Sequence, residues 1–328
     1  MSETIEIEQD LARRLLVEGA TLVLIDVPIG TEFGIDMKSW NTGEKFKGVK
    51  MIPPGLHYVY YSLFLMFALE ASEEEVSRIR GDLLNLDRYL GPYPFDVWKR
   101  WKKLIGKVTE LLSEEFKSSD GESPVAKRKR SRPATVEEKE EDLLPQLRPR
   151  PGTEVRFTPF PERNFPEGAT PAEITQHSLD SSYVLNLMLD KYKNPTDLIG
   201  EMQFAFVCFL VGHSLDAFEH WKRLVRLVCS CDDAVSKRRE VYDEFITAIE
   251  AQVLEIPEDF LVDIVASNNF VYHSLCTLFR NIQTSEVVDD RLKSKAKRFQ
   301  ERLTTKFQWD FSRLEQEDDD DAPVVVDT

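Results

Sequence analysis

The chain has 328 residues, 42% of them hydrophobic, and a formal net charge of −16. Length and apolar content suffice for two domains and a linker, which excludes a wholly disordered chain. The acidic balance argues against a general binder of phosphate backbones, which relies on many lysine and arginine contacts, and it suits basic protein partners.

The four cysteines, Cys208, Cys229, Cys231 and Cys276, all fall in apolar helical patterns of the C-terminal half. They read as small hydrophobes and not as a secreted disulfide framework. The start of the chain lacks the layout of a signal peptide, and the longest apolar runs (63–69 and 204–211) are too short to span a bilayer. A soluble, intracellular protein is expected.

In chain order, the first predicted helix covers 9–18, with Leu11, Leu15 and Leu16 on one face. Residues 21–27 (TLVLIDV) form a β-branched apolar run, a buried strand stopped by Pro28 and Gly30. Residues 30–62 are crowded with glycine and aromatics and hold no catalytic constellation, the composition of a rigid surface. Pro53, Pro54 and Gly55 force a turn before a second strand at 56–61. Ser72 and Glu75 make a capping box for a helix whose stripe is Val76, Ile79, Leu83, Leu86 and Leu90, ended by Gly91 and Pro92. A further helix fits 95–116, with Trp98, Trp101, Leu104, Ile105, Val108, Leu111 and Leu112 facing inward.

Residues 117–150 mix serine, proline and blocks of charge, the composition of a flexible linker. Within it Lys127, Arg128, Lys129 and Arg130 form a candidate import signal, Ser123 and Ser131 are candidate phosphosites, and 137–142 is acidic. Beyond it, 155–157 suggests one short strand and the rest reads as helix. Thr170, Pro171 and Glu173 make a strong helix start, and Asn194, Pro195, Thr196 and Asp197 open another. Residues 200–211 are apolar nearly all round and predict the central buried helix. Helices follow at 214–229, 232–254, 258–265, 269–280 and 289–307. An acidic spacer, 315–321, precedes Val324, Val325 and Val326, a triplet suited to adding a strand to another protein's sheet edge, with a frayed tail as the alternative.

Little here points to chemistry. Cys229 and Cys231 are closer than the C-x₂₋₄-C spacing of zinc sites and have no second pair to match. His213 and His220 stand seven apart with Glu219 beside the second, but there is no HExxH, GxGxxG, P-loop or GxSxG pattern. No catalytic residue, metal or cofactor is expected, and enzyme activity is disfavoured.

Several segments carry a resemblance: residues 30–62, LDRYLGPYP at 86–94, PGTEVRF at 151–157, EGATPAEITQHSLDSSYVL at 167–185, and GEMQFAFVCFLVGHSLDAFEHWKRL at 200–224. It continues in IPEDFLVDIV at 256–265, KFQWDF at 306–311 and APVVV at 322–326. Taken together they resemble the Aar-two family of pre-mRNA splicing factors, assembly chaperones of the U5 snRNP. The resemblance implies an α+β protein: a β-rich N-terminal domain with helices (1–116), the linker (117–150), an all-α C-terminal domain like a VHS-type superhelix (151–314), and an acidic tail with a strand-forming segment (315–328). It implies binding to the large U5 scaffold protein, Prp-eight, through its RNase H-like and Jab/MPN-like domains, with Val324 to Val326 pairing as a strand. It further implies a block on premature helicase docking, release linked to phosphorylation, and residence in cytoplasm and nucleus, with no direct nucleic-acid or membrane partner. Family members carry a longer β-rich section after Ser62, so this chain reads as a shortened isoform, with residues 63–69 as a compact substitute strand the alternative. The competing expectations are a general helical interaction adaptor and an enzyme built on His213, Glu219 or His220.

Overall fold

Short strands and tight corners fill residues 20–62, where glycines and aromatics fix the approach of neighbouring chains. The computed structural model describes residues 9–62, 72–109, 155–256 and 269–311. Val324 to Val326, Lys127 to Arg130, Ser123 and Ser131 lie outside these, as do the predicted helix 258–265 and Leu111 and Leu112.

Helix α1 (Gln9–Glu18) leads into two three-stranded sheets. In the first, β1 (Ala20–Val23) pairs antiparallel with β4 (Gly48–Ile52), which pairs in parallel with β6 (Leu90–Pro92). In the second, β2 (Glu32–Ile35) lies between β3 (Lys38–Asn41) and β5 (Val59–Ser62), both antiparallel to it. Phe33, Ile35, Val49, Ile52 and Tyr93 form a small core between them. Gly34 is required on β2, since a Cβ there would overlap the Tyr60 ring on β5.

Four sequence expectations for this region change. Only Leu15 of the α1 stripe is buried; Leu11 and Leu16 are 39% and 61% exposed, because α1 meets the sheet along one narrow line on β4. The strand expected at 21–27 ends at Val23, where its partner begins at Gly48 and Asp26 turns to a φ of 53°. The strand expected at 56–61 starts at Val59, since Leu56, His57 and Tyr58 are engaged elsewhere, as described below. Strands β2, β3 and β4 arise inside the segment expected only to be a rigid surface.

Helix α2 (Glu73–Leu86) begins at the expected capping box: Glu75 N donates to Ser72 Oγ at 3.3 Å and Ser72 N to Glu75 Oε2 at 3.0 Å. Its apolar stripe is only half covered. No α2 residue is buried, and Leu90 belongs to β6. Helix α3 (Phe95–Leu104) stops well short of the expected 116, with Ile105 at φ −114° and ψ 7° followed by Gly106.

The second part is helical: α4 (Pro171–Leu179), α5 (Ser182–Leu189), α6 (Asp197–Leu210), α7 (Leu215–Cys229), α8 (Asp233–Lys237), α9 (Arg239–Glu255), α10 (Phe270–Thr284) and α11 (Asp290–Phe307). Helix α4 has the predicted capping box of Thr170 and Glu173 with proline at the first turn. At α6 the start is different from that pattern: Asn194 Oδ1 accepts from Thr196 N and Oγ1, and Thr196 makes no side-chain cap. Helix α6 is the buried axis, with Leu198, Ile199, Met202, Ala205 and Phe206 inaccessible to solvent. The continuous helix expected over 232–254 is broken at Arg238 (φ −117°, ψ 45°), whose guanidinium donates to Asn186 Oδ1 at 3.0 and 2.8 Å. Residues 155–157 form no strand; Phe157 stacks on His220 at 4.3 Å.

The architecture is α+β, and the two parts share one core. Trp101 and Leu104 of α3, both fully buried, belong to the same apolar cluster as α6, α7 and α9.

Candidate functional site

Two buried carboxylates look at first like reaction centres. Asp36, at the β2–β3 turn, has a φ of 55°, an αL conformation that costs a non-glycine residue. Its side chain is fully buried and saturated. Oδ1 accepts from Tyr58 N at 2.9 Å, and Oδ2 accepts from the Tyr93 hydroxyl and contacts His57 Nδ1 at 2.8 Å. Burial and this hydrogen bond push the Tyr93 phenol well above its ordinary range. His57 also stacks on Trp98 and reaches Pro53 O at 2.8 Å. With every ligand atom satisfied, the cluster joins two strands, the Pro-Pro corner and α3.

The second is Glu201 on α6, also fully buried. Oε1 accepts from Thr158 N at 3.0 Å and contacts His220 Nε2 at 2.6 Å; Oε2 accepts from Thr158 Oγ1 at 2.7 Å and Tyr192 OH at 2.8 Å. Burial pushes this carboxyl up, but the hydrogen bonds from His220 and Thr158 outweigh it and hold the group below its ordinary value. Phe157 covers His220. This centre straps residues 157–160 across α6 and α7, and it leaves no open position for a substrate.

The histidine expectation resolves accordingly. His220 is packed on Glu201, His213 is exposed after α6 with a φ of 52°, and exposed Glu219 pairs with Lys222. These three side chains do not converge. Cys229 and Cys231 are buried free thiols; burial pushes Cys231 up to about 12, and its Sγ donates to Leu227 O at 3.1 Å. Among the described residues, no group of three His, Cys, Asp or Glu side chains could hold a metal ion.

The sheets and helices meet along a seam. Trp101 Nε1 donates to Leu56 O at 2.9 Å. Gln203 of α6 accepts from Lys107 N at 2.7 Å and donates to Lys103 O at 3.1 Å, which caps the end of α3. Arg100 forms a two-pronged pair with Glu255, and Lys107 meets Glu244 at 2.8 Å. Burial raises the Tyr58 phenol, and its hydroxyl lies against Gly212. No apolar periodicity announces these joints: they are polar side chains on helices that also carry a core face.

Elsewhere on the helical part, a groove of about 650 Å³ opens between the end of α4, the outer face of α7 and α10. Arg223, Arg226 and Arg280 line it, with Leu179 81% exposed at its rim.

The fold and these sites define an α+β protein whose buried polar centres are structural joints. Residues 18–68 match the AAR2 N-terminal domain and residues 157–312 the AAR2 C-terminal repeat region. The human relative named "Protein AAR2 homolog" is 40% identical over 376 residues, covering 98% of this chain and 97% of that protein. The rabbit protein of the same name is 41% identical over 342 residues, and the Caenorhabditis elegans protein 32% identical over 351 residues and 90% of this chain. The chain belongs to the AAR2 family, the splicing-related family whose signature its sequence carries. The human alignment is longer than the chain, so the human protein contains residues that this chain lacks.

Proposed function

We propose that this protein is a U5 snRNP assembly chaperone that binds the large U5 scaffold protein, Prp-eight, through its RNase H-like and Jab/MPN-like domains. It acts by occupancy: the body covers one scaffold surface, Val324 to Val326 add a strand to a sheet edge, and premature helicase docking is blocked. It works without catalysis, assembles with the scaffold in the cytoplasm, and accompanies it to the nucleus, where Lys127 to Arg130 serve import and phosphorylation at Ser123 or Ser131 promotes release.

One observation carries the reading. Both family regions match in order, and the seam of Trp101, Gln203, Tyr58 and Gly212 makes them one body able to present a fixed surface. The acidic charge and the absence of convergence among His213, Glu219 and His220 support binding over catalysis. The test is a pull-down of the full chain, and of a chain ending at Glu315, against the two purified scaffold domains. Binding by the full chain that is lost on truncation supports the chaperone reading with its strand. Equal binding by both discards the strand, and no binding by folded full chain overturns the proposal.

A further inference from the structure

Arg226 and Arg280 are exposed, and neither guanidinium has an ion pair or hydrogen bond among the described residues. Arg223 lies only over the Phe160 ring, 4.0 Å from its centre. The chain as a whole carries 58 acidic against 42 basic side chains, so acidic partners within it are plentiful. Elsewhere on the helical part some long cations do find carboxylates: Arg239 meets Asp289 at 3.1 Å, Lys295 meets Asp243 at 2.8 Å and Arg302 meets Glu250 at 2.6 Å. The groove's opposing charges are few. Asp232 lines it, and the nearby Asp180 carboxylate is taken up by Ser182 and by the backbone N–H groups of Asp232 and Asp233. Three guanidinium forks therefore face a concave surface with little to neutralise them, a geometry suited to several carboxylates in succession.

We propose that this groove is the docking site for the chain's own acidic segment, residues 315–321, with Asp318 to Asp321 on Arg223, Arg226 and Arg280. The charge is complementary and dense: Glu315, Glu317 and four consecutive aspartates. The path is also short. Phe311 is buried against Tyr272 and Phe279 of α10, at ring distances of 5.3 and 5.2 Å, and Phe279 precedes Arg280 in sequence. Asp318 follows seven residues later, about 23 Å of extended chain. Passing round α10 takes about half the circumference of a cylinder 10–12 Å across, roughly 17 Å. The linker's acidic block, 137–142, contains a lysine and lacks an aspartate run, which makes it the poorer fit. Docking here holds the adjoining Val324 to Val326 against the body until the segment is displaced. The inference is independent of the U5 reading, since it concerns one chain alone.

The test needs no scaffold. A fluorescent peptide of residues 315–328 is titrated by anisotropy into the parent chain and into full-length D318N/D319N/D320N/D321N. The parent's own segment should compete, so the peptide should bind the aspartate variant at least about tenfold more tightly than the parent. Adding R223E/R226E/R280E to that variant should abolish binding, and R223Q/R226Q/R280Q should weaken it, with the thermal melts confirming folded protein in each case. Affinity should also fall as salt rises. Absence of binding to the aspartate variant, equal binding to variant and parent, or binding unaffected by loss of the arginines would each overturn the proposal. So would tighter binding of the groove by a peptide of residues 135–148 or by a single-stranded RNA oligomer.

Discussion

The Tyr58 hydroxyl occupies the space that a Cβ on Gly212 would need, so the β-rich part rests directly on backbone in the turn between α6 and α7. The same Cβ would approach Cys208 O to 2.6 Å, and backbone cannot move aside as a flexible side chain does. Two halves that meet ring-on-backbone keep a fixed relation. The seam is thus a place where a single methyl group is expected to be felt.

Gly212→Ala should therefore destabilise the protein by about 1–3 kcal/mol, the usual cost of overpacking. Tyr58→Phe removes the overlapping oxygen, so the alanine should cost less in that background. Urea melts of the two single variants and the double variant measure the coupling. Additive costs would mean that Tyr58 and Gly212 do not touch in solution.

The second prediction concerns pH. The folded-state pKa of Glu201 is lowered from 4.5, so its ionised form contributes stability that is complete above the unfolded value. As pH falls below 4.5 through the folded value, the unfolded state takes up the proton first and that stability is lost. Glu201→Gln should remove this part of the acid dependence and lower stability at neutral pH by about 1.5–3 kcal/mol, the scale of hydrogen bonds to a charged group. Melting temperatures between pH 3 and pH 7 compare the two proteins; parallel curves would contradict the assignment.

Much of the helical part was legible in the sequence because its signals are local. Thr170 with Glu173 falls where spacing places it, the helices expected from 269 and 289 begin there, and the apolar run of α6 is the buried axis; Ser72 with Glu75 does the same for α2 in the first part. Strands β2, β3 and β4 were not, because four or five residues give too few alternations and their register depends on partners distant in sequence. The Arg238 break depends on a tertiary contact with Asn186, invisible to periodicity. Glu201 was hidden by its neighbours: a carboxylate within an apolar helix has no local sign of the four donors that reach it from Thr158, Tyr192 and His220. The groove escaped for a related reason. Arg223 and Arg226 are exposed on α7 with no motif to mark them, and only the packing of α10 brings Arg280 beside them.

The seam's buried hydrogen bond supplies a third prediction. Trp101 is fully buried and its Nε1 reaches Leu56 O. Trp101→Phe leaves that carbonyl without its donor and opens a small void, so a loss of about 2–4 kcal/mol is expected from the two effects together. Thermal unfolding followed by circular dichroism would measure it, and a loss below about 0.5 kcal/mol, typical of surface changes, would show that the seam is not held here.

The last prediction tests the Asp36 turn, where backbone and side chain pull in opposite directions. Asp36→Gly relieves the left-handed φ of 55° but removes the carboxylate that accepts from Tyr58 N and Tyr93. Asp36→Ala loses the same acceptors and keeps the backbone penalty, about 1–2 kcal/mol for an L residue in this region. Asparagine tolerates that conformation and retains one carbonyl oxygen. Stability should therefore fall in the order parent, Asn, Gly, Ala, with Gly and Ala separated by the conformational term. Urea denaturation of the four proteins gives the order directly. If alanine proved as stable as glycine, Asp36 would not hold its left-handed conformation in solution, and the carboxylate alone would account for the joint.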